Sequence, residues 1–299
     1  MAIKDYTLYQ QSDFAKLGDC IGYYQDYQLT KHKYHNRRKA LAYFDNVSLE
    51  KIRKHHIKKY HLLRSAVVSS ATVNREISFA RAAINCVNRD FELSIYNPFE
   101  DIKFNEVEYL PNYLTVEQYE ILLDTCLSHG YHDLHDFIVL LTMTGCRPVE
   151  IKNLAWVDVH LEKRFFIVRN CWSKNKRMMY KYLNDTAIQL LEKRQENKIG
   201  EWVFTNRKTG KAIGSYQKIF NKVKADLSFN CSFYDLRHTY ASWLVQRSVS
   251  IYTVKELLGH RDIASTMRYA HLDYSTYCNA LSNICLLYTS DAADEEDSV

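Results

Sequence analysis

Two arginines and a tyrosine, far apart in the chain, have the types and order needed to hold and attack a phosphodiester. Arg147 stands in Thr144-Gly145-Cys146-Arg147-Pro148-Val149-Glu150. Ninety positions on, Arg237 stands in Tyr234-Asp235-Leu236-Arg237-His238-Thr239, followed by Leu257-Leu258-Gly259-His260 and Arg268-Tyr269-Ala270-His271. Metal-free cleavage of a phosphodiester has three needs: neutralised non-bridging oxygens, an in-line nucleophile and a proton for the leaving oxygen. A guanidinium suits the first because its planar fork meets two oxygens at once and keeps its charge. Glu150 lies three residues beyond Arg147, where helical side chains meet, and is expected to orient it. A tyrosine oxygen can form a covalent phosphotyrosine and later be displaced by a DNA hydroxyl, so the bond energy is kept without ATP. Residue type alone says little here, since the chain holds 23 tyrosines; the place of Tyr269 within Thr266-Met267-Arg268-Tyr269-Ala270-His271 says more.

These four separated motifs, in their order and spacing, resemble those of the tyrosine recombinase (phage integrase) family over nearly the whole chain. The resemblance implies that Arg147 and Arg237 match the family's two invariant arginines, that His260 contacts phosphate and that Tyr269 forms a 3′-phosphotyrosyl intermediate. Lys174, in Ser173-Lys174-Asn175-Lys176-Arg177, resembles the hairpin lysine that protonates the leaving oxygen, with Lys176 in the same turn as the alternative. One position departs from the pattern: Tyr234 stands where the family usually has histidine, three residues before the second arginine. A phenol can still donate a hydrogen bond to phosphate but is a poor proton acceptor near neutral pH, so slower cleavage is expected. His238 is expected to pack or cap rather than to take over from that histidine. Asn74-Arg75 resembles part of the family's core-site-binding domain.

What the resemblance implies for the whole is a site-specific DNA recombinase closing as a C-shaped clamp around double-stranded DNA. It would act as a homotetramer on paired sites and exchange strands through a Holliday junction, with accessory DNA-bending or directionality proteins as partners and no cofactor or metal. Integration or excision of a phage or other mobile element is preferred to chromosome-dimer resolution. Two other readings stay open: a catalytically weak or inactive DNA-binding relative, and a type IB topoisomerase-like enzyme.

The elements that must position these residues read as mainly α. Asn97-Pro98 and Pro111 bracket a boundary, because proline disfavours helix at the preceding residue. Residues 1–100 are expected to form a helical core-binding (SAM-like) domain of about four helices, 101–111 a linker and 112–285 a mostly helical catalytic domain with a small β-sheet. In the first domain Leu41, Phe44, Leu49, Ile52 and Ile57 recur near helical spacing, and Val73, Ile77, Ala80 and Ile84 form an apolar stripe. In the second, Thr115 and Gln118 form a capping box, and residues 159–183 hold two runs of β formers around the 173–177 turn. Helices are then expected at 185–196, 214–227, 235–247, 251–258 and 262–270.

Net charge is +5, mildly basic and compatible with a polyanionic partner. The charge is uneven: residues 31–64 carry eleven Lys or Arg against Asp45 and Glu50. Lys31, Lys33, Arg37, Arg38, Lys39, Asn74 and Arg75 are therefore the DNA-binding candidates, with further phosphate contacts expected from Lys51, Arg53, Lys54, Lys58 and Lys59. Residues 286–299 are acidic and non-periodic, and read as a disordered tail foreign to the rest of the protein. The chain is expected to begin directly at the core-binding domain; either the protein has no separate arm-binding domain or the sequence is truncated before it. The eight scattered cysteines show no metal-ligand spacing and suit reduced thiols. No secretory signal opens the chain and its longest apolar run, Phe137–Leu141, is far too short to cross a bilayer. A cytoplasmic, nucleoid-associated location is expected.

Overall fold

The computed structural model describes residues 9, 13–30, 41–44, 47–105, 110–172, 177–274, 278 and 281–282. The chain divides into two compact units, 1–109 and 110–299, each with its own buried core.

In the first unit, helices α1 (Leu17–Thr30), α2 (Lys54–Ser65) and α3 (Ser70–Asp90) pack together. Ser69 starts α3 by accepting the Thr72 backbone N–H, and Val73, Ile77, Ala80 and Ile84 are fully buried along one face, facing the α1 residues Leu17 and Ile21. The α2–α3 contact carries a buried polar knot: Tyr60 donates to Glu76 at 2.7 Å, and Arg64 reaches the same carboxylate at 2.9 Å. The periodic run from Leu41 to Ile57 is buried as expected, yet it is not one helix. Two 3-10 turns, Ala42–Phe44 and Leu49–Lys51, carry it into α2, because Ser48 (ψ 137°) and Ile52 (ψ 128°) are extended.

The second unit is built around α5 (His132–Thr144), preceded by α4 (Val116–Ser128), whose Thr115–Gln118 capping box forms as expected. Leu134, Phe137, Ile138, Leu140 and Leu141 of α5 are buried beneath α4, α7 (Asp185–Glu196) and α9 (Phe233–Gln246). A short α6 (Pro148–Lys152) follows α5, and α8 (Gln217–Ala225), α10 (Ile251–Leu258) and α11 (Ala264–Met267) are further helices of this unit. The expected 214–227 helix is thus shorter, starting after Tyr216.

The β region is a three-stranded antiparallel sheet in the order β1 (Val159–His160), β2 (Phe165–Val168), β3 (Met179–Tyr182), one short strand more than the two runs foresaw. Register pairs Phe166 with both Val159 and Lys181. Alternation puts Phe166 and Val168 inside, but in β3 the buried slot belongs to Lys181, while Tyr180 and Tyr182 are exposed. The expected 262–270 helix is broken: α11 ends at Met267 and a separate 3-10 turn, Ala270–Leu272, follows, so Tyr269 sits at the junction. Lys174, Lys176, Lys31, Lys33, Arg37, Arg38 and Lys39 lie outside the described residues, as does the 286–299 tail.

Candidate active site

The Arg147 loop is fixed by glycine and a carboxylate. Gly145 ends α5 in the left-handed region (φ 59°), and a Cβ there would stand 2.3 Å from the Tyr240 ring, so a side chain has no room. The chain turns through buried Cys146 to Arg147, the residue capping α6, with Pro148 in its first turn. One Glu150 oxygen accepts the Arg147 backbone N–H at 2.8 Å and the other accepts Nη1 at 2.7 Å. The Glu150 side chain is completely buried. Glu150 thus holds Arg147 by both its backbone and its side chain.

Arg237 projects from α9 and ties the ends of α5 and α10 together. Nη1 donates to the Gly145 carbonyl at 2.6 Å and Nη2 to the Leu258 carbonyl at 2.8 Å. A guanidinium carries five N–H groups, so these two bonds leave donors for a ligand. Leu258 is the last residue of α10, where carbonyls lack helical partners and cations are favoured. The neighbouring Leu257 carbonyl accepts from Lys181 Nζ. Gly259 (φ 67°) then closes α10 and releases the chain into His260.

His260 Nδ1 lies 2.8 Å from Thr266 Oγ1, inside hydrogen-bonding distance. Thr266 is fully buried, and its carbonyl accepts the Tyr269 N–H at 3.0 Å. Tyr269 is 2% exposed, packed among Ala241, Val245, Val254 and Leu258 from α9 and α10. Its Oη lies 2.5 Å from His238 Nδ1. His238, expected to pack or cap, packs against the candidate nucleophile, one residue beyond Arg237 on α9.

The electrostatics are those of an anion site. Burial and then the Arg147 charge pull the Arg237 pKa below its ordinary value. Burial, aided by the two arginines, also lowers Lys181, with Cys146 and Glu150 opposing. His260 is pulled down to about 3 by burial and by Arg237, Arg147, Arg268 and Lys181. His238 falls to about 4, mainly through burial. Both imidazoles are therefore neutral at pH 7. The Cys146 thiol is raised to about 11 by burial.

The structure thus gathers Arg147, Glu150, Arg237, His260 and Tyr269. Tyr234, at the start of α9, is 59% exposed and borders a groove with Pro148, Val149 and Lys152. Asn74 is buried and its amide is taken up by Phe104, donating to the carbonyl at 2.8 Å and accepting the N–H at 2.9 Å, so it holds the 99–105 segment rather than facing solvent. Arg75, its neighbour on α3, is exposed. Lys181 and His238 are the site residues that sequence reasoning missed. Strand alternation could have flagged Lys181, since it occupies an inward slot between exposed Tyr180 and Tyr182.

The pattern of the Phage integrase family matches residues 112–276, more than half of the chain and the whole of this site. The chain belongs to that family. Among its relatives, the integrase of Salmonella phage P22 is 27% identical over 221 residues, covering 70% of this chain and 55% of its own length. Tyrosine recombinase XerC of Oceanobacillus iheyensis is 26% identical over 252 residues, covering 79% of this chain and 80% of its own length. The chain therefore spans little more than half the length of the phage P22 relative. In fold, the Tn1549 transposon integrase in complex with transposon right end DNA superposes with a TM-score of 0.72 at 18% identity, over 90% of this chain and 99% of that one. A lambda integrase tetramer bound to a Holliday junction gives a TM-score of 0.66 at 17% identity, over 85% of this chain and 77% of that one. The fold of this phage integrase family member is accordingly that of a tyrosine recombinase.

Proposed function

We propose that this chain is a site-specific DNA recombinase that cuts through a 3′-phosphotyrosyl intermediate on Tyr269. The observation that carries the reading is the convergence of three basic side chains, Arg147, Arg237 and Lys181, beside a buried tyrosine, while Glu150, set among them, is already engaged by Arg147. Buried positive charge of this kind is costly unless an anion answers it, and a scissile phosphate does so. The guanidiniums and His260 would hold its non-bridging oxygens as charge builds. Lys174 is the proposed proton donor to the 5′ oxygen, with Lys176 the alternative.

The family supports strand exchange on double-stranded DNA, and the tetrameric, Holliday-junction-bound relative supports assembly as a homotetramer on paired sites. Integration or excision of a mobile element is the role preferred, with accessory DNA-bending or directionality proteins as further partners and a nucleoid-associated location. Among the described residues no helix is long and apolar enough to cross a membrane.

Covalent trapping on a library of nicked duplexes with randomised centres tests the reading. Wild type is expected to leave denaturant-resistant protein–DNA adducts that Tyr269→Phe does not form, and the trapped sequences identify the site. Salt-sensitive binding without any adduct would instead mark a DNA-binding protein that does not cut. Exchange of strands between two duplexes, rather than relaxation alone, separates a recombinase from a topoisomerase.

A further inference from the structure

The contact between His238 and Tyr269 is a second piece of chemistry within this site. The two rings are tilted at 47° with centroids 5.8 Å apart, and Nδ1 lies 2.5 Å from the phenol oxygen. Tyr234, a turn earlier on α9, is a phenol and a poor acceptor near neutral pH. We propose that His238 is the proton acceptor for Tyr269, taking the phenolic proton on Nδ1 as Oη attacks phosphorus. The inference rests on the strand-cutting reading above.

Distance comes first. A general base must lie within hydrogen-bond reach of the proton it takes, and at 2.5 Å Nδ1 does. For the phenol to donate, the neutral ring carries its own proton on Nε2. The other nitrogen bases and cations nearby are otherwise engaged or unable to accept. Arg147 is engaged by Glu150, Arg237 donates to the Gly145 and Leu258 carbonyls, Lys181 donates to the Leu257 carbonyl, and His260 Nδ1 is beside Thr266. The charged groups facing His238 are Asp235, Arg237 and Arg268. Burial and the two arginines keep the free imidazole neutral, with a pKa of about 4, so its lone pair is available at pH 7. Asp235 opposes that shift, and the negative charge of a bound phosphodiester adds to Asp235, favouring the imidazolium once the proton moves.

The step balances. The Oη–P bond forms and the P–O5′ bond breaks; the phenolic proton passes to Nδ1, and the departing 5′ oxygen takes a proton from the donor proposed above, Lys174 or Lys176. Rejoining runs in reverse: the O5′–P bond forms and the Oη–P bond breaks, the 5′-hydroxyl proton passes to the lysine amine that had given one up, and Nδ1 returns its proton to the departing tyrosine oxygen.

The test measures adduct formation on the nicked duplex as a function of pH, with an ordinary 5′ oxygen and with a 5′-bridging phosphorothiolate, whose sulfur leaves without a proton. His238→Gln keeps a polar side chain of similar reach but accepts no proton. It is expected to cut roughly 10²- to 10³-fold more slowly at pH 7, with a rate that climbs about tenfold per pH unit while wild type stays flat from about pH 6 to pH 8. The sulfur substrate is expected to restore Lys174→Ala and not His238→Gln. His238→Ala should regain rate on adding imidazole, which guards against a defect of folding. A His238→Gln enzyme that cuts at the wild-type rate, or is slowed equally at every pH, or is rescued by the sulfur substrate, overturns the inference while leaving the recombinase reading intact. A wild type that forms no adduct on any duplex removes both.

Discussion

Both carboxylate oxygens of Glu150 are spent on Arg147, one on its backbone N–H and one on its guanidinium. Neutralising Glu150 therefore leaves a largely buried Arg147 charge unanswered and loosens the cap of α6 together. Breaking a buried ion pair from one side costs about 3 kcal/mol at the lower end of its range, and losing the aim of one transition-state donor costs about 10²-fold in rate. Glu150→Gln is expected to show both, in a denaturant melt and in adduct kinetics; a variant stable but slow would mean that Glu150 aims the arginine without holding the fold. The two site histidines make a second residue-scale prediction. Folded-state pKa values of about 4 for His238 and about 3 for His260 lie below the ordinary 6.5. The unfolded chain thus binds more protons, so the stability these groups contribute is whole above about pH 6.5 and is lost as pH falls towards 4. Between about pH 6 and pH 5 each should remove about 1 kcal/mol per pH unit. Denaturation midpoints measured across that window should fall steeply in wild type and less in His260→Phe; equal slopes would place the acid sensitivity elsewhere. At this scale much was legible, because Arg147, Glu150, Arg237, His260 and Tyr269 lie in local motifs. His238 was not, since its partner is 31 residues away and the contact depends on where the chain breaks after α11.

The end of α10 is where two elements, β3 and α9, meet the site. Lys181 and Arg237 each answer one of its last carbonyls, Leu257 and Leu258, so the helix terminus that aims His260 is held by two cations. These two bonds have different balances. An uncompensated buried ammonium costs several kcal/mol, whereas leaving one carbonyl unpaired costs about 1–3 kcal/mol. Lys181→Met should therefore melt at or above the wild-type temperature yet cut more slowly, by about tenfold or more, since one positive charge near the phosphate is gone. A variant both less stable and fully active would show Lys181 to be structural alone. Element identity was readable wherever a local signal existed: the Thr115 cap, the stripe of α3 and Gly259 at the close of α10 all reside within a few residues of what they determine. The failures share a cause. The Leu41–Ile57 spacing records burial rather than helix, because extended Ser48 and Ile52 reset the phase. The run 262–270 breaks before Tyr269, which packs against α9 and α10, partners that no local spacing reveals.

For the molecule as a whole, the sequence discloses how much charge there is but not where it ends up. Two compact units part after Tyr109, and Pro98 and Pro111 lie on either side of that point, where proline interrupts local structure. What composition could not tell is which basic residues remain on the surface. Arg64 is spent on Glu76 and Arg81 donates to the carbonyls of Phe99 and Ile102, so neither is simply available to phosphate. Lys54, Lys58 and Lys59, by contrast, are exposed on α2. If α2 lies along a DNA backbone, each of these lysines releases condensed counterions on binding, and removing one should lower the slope of log affinity against log salt by about 0.9. Lys58→Gln and Lys59→Gln, titrated with duplex DNA at several salt concentrations, are expected to show this loss on every sequence alike, because phosphate contacts position without reading bases. The double variant should lose the sum of the two slopes. An unchanged slope would place these lysines on a solvated face and shift the DNA contact to another surface of the first unit, while a loss confined to one sequence would mean that α2 reads bases.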